Sequence, residues 1–351
     1  MQPVRWFADI GLNDRANVGG KGGSLGELAR AGIRVPSGFV VSTAAFEASL
    51  AAFDSDGEIR RSVAGLKHED INGVATAAAK IRERINKEPM PCDLESEILR
   101  AYAELCRGAV DIPVAVRSSA TSEDGEAASF AGLQDTYLFV RGGRPVLGHI
   151  RQCWASLYNA ESISYRLRLG LPEDCVAMAV VVQQMVPADA SGVMFTRSPT
   201  TGDRSTVVIE SCWGLGSSLV SGEVTPDRFV VSKVTGDVVA TTISSKAVRH
   251  VPDLAQGGVR CEPVPEELQD AASISDDVVA ELTAIGKVVE RHYGRPQDIE
   301  WALTEGSADH TISILQSRPE TVWAARDVEP IANPATSALD HVFATLGHRK
   351  S

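Results

Sequence analysis

Apolar residues recur along the chain with two different periods. Ala44 to Phe53, Ile71 to Ile85 and Leu94 to Cys106 alternate apolar and charged faces at helical spacing, and each predicts an amphipathic helix. A further helix is expected from about Pro145 to Asn159, where Trp154 and Tyr158 stand four apart and so share a face. Another is expected within Val264 to Tyr293, stopped by Gly294. Other runs read as strands. Val114 to Val116 and Tyr137 to Val140 bracket a long polar loop, and Val176 to Val186 is apolar enough to be buried on both faces. Ser191 to Arg197 and Thr206 to Trp213 read as strands joined by a turn at Pro199 to Asp203, and a hairpin is expected around Thr235-Gly236. Gln297 to Ala302 and Ile312 to Arg318 complete the set, which predicts an α+β class.

Composition narrows the function classes. The 351 residues are 44% hydrophobic, enough for a large core, and no apolar run approaches the length of a transmembrane helix. The first 16 residues hold no apolar leader segment, so the expected compartment is the cytoplasm. A net charge of −12 argues against a general nucleic-acid or anionic-membrane surface. The six cysteines (92, 106, 153, 175, 212 and 261) show no CxxC pair, so reduced thiols are expected.

Five places carry candidate chemistry, most with a plainer alternative. Pro113 to Tyr137 is rich in hydroxyl and glycine residues. Gly125 and Gly132 allow close backbone approach, Thr136 and its neighbours supply donors, and Arg117 supplies fixed charge, so an anion nest or a solvated hairpin loop both fit. Lys21 lies in NVGGKGGSLGEL, a glycine turn ahead of a helix, where phosphate would meet helix N–H groups and the ammonium; a simple turn fits as well. Gln183-Gln184-Met185-Val186-Pro187 either ends a strand or offers backbone polar groups to an adenine edge while Met185 packs on the ring. Glu210 is the acidic residue within an apolar strand and requires a partner. In the last two strands, period-two alternation puts Asp298 with Glu300 on one face and Gln316 with Arg318 on another. Together they suit a magnesium–phosphate site or a surface hairpin of paired charges.

RSSATSEDGEAASFAGLQDTYL (117–138), DIEWA (298–302) and LQSRP (315–319) occur in one order and at one separation. In this the chain resembles the nucleotide-binding domain of pyruvate phosphate dikinases and phosphoenolpyruvate synthases. That domain is shared by rifampin phosphotransferases and by the ATP-binding subunit of phenylphosphate synthase. The resemblance runs over residues 4 to 323 and implies an ATP-grasp-like, two-lobed nucleotide-binding domain. Its lobes are expected at 1–186 and 187–325, followed by a tail at 326–351. It also implies ATP and Mg²⁺. Lys21, Arg117 and Arg318 would hold the polyphosphate with Gly132 and Thr136. Gln183, Met185 and Val186 would meet adenine, Glu210 the ribose or active site, and Glu300 and Gln316 the Mg²⁺.

Members of that family continue into a swivelling domain with a phosphorylated histidine. None of the seven histidines here (68, 149, 250, 292, 310, 341 and 348) stands in a comparable Gly-Gly-rich, Ser/Cys-His context. The resemblance therefore implies the ATP-binding subunit of a split dikinase-type phosphotransferase. A histidine on a separate protein would take the β-phosphoryl group, AMP would leave, and water would release the γ-phosphate. The final acceptor would be a small alcohol of phenol or cresol type. Alternatives are a phosphoenolpyruvate synthase-like or antibiotic-phosphorylating split system, an ATP-grasp ligase, and a non-catalytic ATP-binding regulator.

Overall fold

The computed structural model describes residues 2–121, 124–125, 128–129, 135–173, 176–253, 257–306 and 309–323. Gly132 lies outside them. In chain order the strands are β1 (Val4–Trp6), β2 (Gly38–Val41), β3 (Val114–Ala120), the two-residue β4 (Asp124–Gly125) and β5 (Ala128–Ser129), β6 (Thr136–Val140), β7 (Met178–Gln184), β8 (Ala190–Phe195), β9 (Thr206–Trp213), β10 (Asp227–Ser232), β11 (Val238–Thr242), β12 (Val248–Pro252), β13 (Val259–Pro263), β14 (Gln297–Glu305) and β15 (His310–Pro319). The helices are α1 (Arg15–Arg30), α2 (Thr43–Phe53), α3 (Glu58–Ala64), α4 (Ile71–Lys87), α5 (Cys92–Cys106), α6 (Gly143–Ser156), α7 (Ala160–Leu169), α8 (Ser217–Val220), α9 (Glu266–Gln269) and α10 (Asp276–Tyr293).

Two sheets organise these elements. One has the order β1-β2-β7-β3-β6 and the other β11-β10-β9-β8-β14-β15. The strands of the first lie between Val4 and Gln184, and those of the second between Ala190 and Pro319. The apolar run of β7 now has a cause. Met178, Val180 and Val182 face a core shared with α2 and α4 to α6, while Ala179 and Val181 face Val18 and Leu25 of α1. The second sheet buries Met194, Val207, Ile209, Ile299 and Trp301 against Val278, Val279, Leu282 and Val289 of α10. The opposite face of that sheet carries Glu210, Glu300 and Gln316.

Local signals set the helix ends. Asp70 accepts from the Gly73 N–H at the start of α4, and Ser275 does the same for Val278 at α10. α10 ends on Gly294 at φ 68°, a left-handed cap. The single helical segment expected over Val264 to Tyr293 is instead broken between Gln269 and Asp276. Ser273 explains the break: its N–H and hydroxyl both donate to the buried Asp227 carboxylate, which holds the chain out of helical register.

Among the described residues no helix is long and apolar enough to cross a membrane. The pair Lys246–Asp227 is fully buried at 2.6 Å, and Asp227 also accepts from the Ser244 and Ser273 amides. Such a pair is tolerated in a core because each carboxylate oxygen has a donor.

Candidate functional site

α1 sets one boundary of the site. The glycine-rich stretch expected to be a turn is helical on both sides of a break at Gly19, whose backbone takes φ 70° and ψ 179°. A side chain is excluded there, since a Cβ on Gly19 would lie 2.1 Å from the Ser119 carbonyl oxygen. Ser119 bridges the break: its hydroxyl donates to the Val18 carbonyl at 2.9 Å and accepts from the Gly22 N–H at 3.1 Å. Lys21 thus stands, half-buried, in the first turn of the resumed helix. Its charge reaches Cys153, whose thiol is pushed up by burial and by Asp135 and drawn down by Lys21.

The strand holding Arg117 runs further than the sequence pattern implied, because Ser118 and Ser119 continue the ladder opposite Val180 and Ala179. Arg117 is therefore mid-strand, rigid at its base, with its guanidinium aimed at the other sheet. It is 12% exposed and meets Glu300 Oε2 at 3.2 Å, Gln316 Oε1 at 2.5 Å and the Leu315 carbonyl at 3.3 Å. Glu300 and Gln316 are direct cross-strand neighbours, as are Asp298 and Arg318, so both pairs expected from the alternation share a face. Arg318 Nε lies 3.3 Å from Asp298 Oδ2 and is half exposed. Burial pushes the Asp298 carboxyl up, Arg318 offsets part of this, and its Oδ1 is buried with no hydrogen-bond partner.

A cavity of about 430 Å³ opens between the sheets, in the size range of small-ligand pockets. Arg117, Thr136, Gln183, Met185, Val186 and Glu300 line it, together with the apolar Leu138, Val193 and Leu215. The Gln183 side-chain amide nitrogen is buried without a partner. Backbone donors at this strand exit are partly committed, because Gln184 N–H bonds the Ser37 carbonyl and Met185 N–H bonds that of Pro113. Lys21, Glu210 and Arg318 are not part of the cavity wall. Glu210 lies on the same sheet face, directly across from the lining Val193 and from Arg228. Burial pushes its carboxyl up and Arg228 lowers it.

The donors clustered at Asp298, Glu300 and Gln316 are all oxygens, the set suited to a hard divalent cation such as Mg²⁺. The orphaned amide of Gln183 and the apolar walls suit a heteroaromatic ring with polar edges. The sequence singled out Glu300 rather than Asp298 as a metal ligand, offered Ser119 only as one hydroxyl donor among several, and gave no sign of α8. The alternation around DIE signalled Asp298; Ser119 is one hydroxyl among many in its loop, and its value comes from α1, 97 residues away in sequence.

Comparison with known proteins gives the family. Residues 15–338 match the family described as pyruvate phosphate dikinase, AMP/ATP-binding domain. A probable phosphoenolpyruvate synthase of Methanothermobacter thermautotrophicus is 40% identical over 91% of this chain and 46% of its own length. The phosphoenolpyruvate synthase of Aeropyrum pernix is 41% identical over 94% of the chain and 44% of its own length. A rifampicin phosphotransferase from a Streptomyces species is 43% identical over 89% of the chain and 35% of its own length. The chain spans less than half the length of each of these relatives. It belongs to the pyruvate phosphate dikinase AMP/ATP-binding domain family.

Proposed function

We propose that this chain binds Mg·ATP between its two sheets and presents it for phosphoryl transfer to a histidine on a separate swivelling-domain protein. The observation that carries this reading is the fork at Arg117, where a cation from one sheet meets a carboxylate and an amide from the other at the rim of an apolar cavity. The arrangement is read as ATP-grasp-like, with lobes at 1–186 and 187–325. Gln183, Met185 and Val186 would take the adenine, with Glu210 reaching the ribose and Thr136 and the loop carrying Gly132 covering the phosphates. Glu300 and Gln316, with Asp298 beside them, would hold Mg²⁺, which supplies charge neutralisation between phosphate oxygens. Arg117, Lys21 and Arg318 would carry the remaining negative charge and fix the line of attack, the largest contribution a protein makes to such transfers.

The reaction proposed is of dikinase type: the partner histidine attacks the β-phosphorus, AMP departs, the β,γ-diphosphoryl group stays on the histidine, and water then releases the γ-phosphate. Relatives' names point to two kinds of acceptor, and a phenol- or cresol-like alcohol is a third. The test is to incubate the chain with Mg·ATP, with and without a candidate histidine-domain protein, and to separate the nucleotides. AMP and phosphate formed only with both proteins are the expected result. ADP would replace this reading with a ligase or simple kinase, and tight binding without turnover in any combination would replace it with a regulator.

A further inference from the structure

A second group of chemistry-bearing side chains lies beside the nucleotide cavity, where hairpin β12–β13 meets α8, whose Ser217 lines that cavity. His250 and Cys261 are direct cross-strand partners in that hairpin. Glu223, just beyond α8, places Oε2 3.0 Å from His250 Nε2. One carboxylate oxygen, one imidazole nitrogen and the Cys261 sulfur all lie within 4.8 Å of one another. Donors around a tetrahedral Zn²⁺, with bonds of about 2.0–2.3 Å, stand about 3.3–3.8 Å apart. Glu223 and Cys261 are both exposed, so small side-chain rotations close the difference without disturbing the core.

We propose that Glu223, His250 and Cys261 form a site for one thiophilic divalent cation of the Zn²⁺ class, with water as the fourth ligand. Neighbouring hydroxyls orient two of the three donors. The Ser217 hydroxyl lies 2.8 Å from His250 Nδ1, where its oxygen is placed to accept from Nδ1–H once Nε2 gives up its proton to bind a metal. The Ser221 hydroxyl donates to Glu223 Oε1 at 3.2 Å, which orients Oε2 toward the imidazole. The backbone is pinned too: His250 carbonyl accepts from the Leu215 N–H at 2.9 Å. Gly214, at φ 72°, has no room for a Cβ, which would lie 2.4 Å from that same carbonyl oxygen. The imidazole is thus held from both ends, while the two flexible ligands move to meet it.

Donor chemistry sets the class of ion. A thiolate and an imidazole select zinc-like ions over Mg²⁺, which requires oxygen ligands and octahedral geometry. On binding, the thiol proton leaves to solvent, the Nε2 proton is lost and one is taken up at Nδ1, where it is donated to Ser217, and the His250–Glu223 hydrogen bond is exchanged for two bonds to the metal. The cation would tie the hairpin to α8. The proposal does not depend on the nucleotide reading: Ser217 and Ser221 line the nucleotide cavity, but the three ligands do not, and the test uses no nucleotide.

The test uses the full chain without nucleotide, in a Cys92→Ser background that removes another exposed thiol. Titration calorimetry with Zn²⁺ is expected to show one site per chain, and Co²⁺ substitution a thiolate-to-cobalt charge-transfer band. Cys261→Ser should abolish that band, and Cys261→Ser and Glu223→Gln should each weaken Zn²⁺ by more than about 100-fold. Ser217→Ala should weaken it by about 10- to 100-fold through loss of imidazole orientation. Circular dichroism confirms folding of each variant, and two ligand variants at exposed side chains guard against loss of one. Absence of a Zn²⁺ site, or an unchanged affinity and band in Cys261→Ser, would overturn the proposal.

Discussion

Arg117 and Glu300 are 183 residues apart in sequence and belong to different sheets, yet their side chains meet at 3.2 Å. The arginine comes from a rigid mid-strand position, and the glutamate is 38% exposed on the facing wall. Replacing Arg117 with Ala should weaken Mg·ATP by about 10-fold or more, the scale of a lost charge-assisted hydrogen bond. Far-ultraviolet dichroism should be unchanged, because Glu300 can be solvated in its absence. Calorimetry showing wild-type affinity would remove Arg117 from the site.

Gln183 presents a buried amide nitrogen that has no hydrogen-bond partner among the described residues. Gln183→Leu is expected to leave folding stability equal or improved, since an unsatisfied buried donor disappears. The same change should weaken ATP by about 1–2 kcal/mol if the amide meets the base. Urea denaturation and calorimetry on one preparation separate the two effects.

Glu210 supplies a pH signature. Burial raises its native value above the ordinary 4.5, so the native state holds this proton more tightly than the unfolded chain. Stability should therefore fall as pH rises from about 4.5 through the raised native value, because the unfolded state binds fewer protons there. Glu210→Gln should flatten that fall and be more stable at neutral pH. If the carboxylate also accepts a ribose hydroxyl, the variant should bind ATP less tightly. A thermal-denaturation series across pH, with and without Mg·ATP, reads both.

Lys246 and Asp227 form an ion pair in which neither side chain has any exposure. Lys246→Met should cost about 3–5 kcal/mol, because a buried carboxylate loses its counter-charge. The measurement is the urea midpoint. A loss below about 1 kcal/mol would mean that the three serine donors around Asp227 suffice without the lysine.

Gly19→Ala should be strongly destabilising, through left-handed backbone strain and a clash with the Ser119 carbonyl. Loss of Lys21 alone, by Lys21→Ala, should leave the urea midpoint near wild type while weakening Mg·ATP. Equal destabilisation by both substitutions would make the glycine stretch purely structural.

Much of this architecture was legible because its signals are periodic. The three amphipathic helices follow their apolar spacing to within a few residues, and the pairings of Asp298 with Glu300 and of Gln316 with Arg318 on one strand face each follow from alternation alone. What escaped were features fixed by distant partners. Arg117 reads as the start of a loop until Val180 and Ala179 extend the ladder past it. The glycines around Lys21 read as a turn until Ser119 rejoins the helix across its break. Residues 270–275 read as helix until Asp227 draws Ser273 away. Hairpin β12–β13 carries no strong alternation, and its strands are exposed or half-buried.

The position of α1 has a mechanical consequence. Leu25 packs in the core of the first sheet, Leu28 in that of the second, and the Ser24 hydroxyl donates to the Ser317 carbonyl at 2.6 Å. The backbone N–H of Ile314 bonds the Arg34 carbonyl just beyond the helix. One edge of the cleft is therefore sealed by apolar packing, whereas the tie at Arg117 is a polar clasp. Opening the cleft would break the clasp and swing one sheet about α1 as an axle, so ligand entry is expected from the side away from that helix.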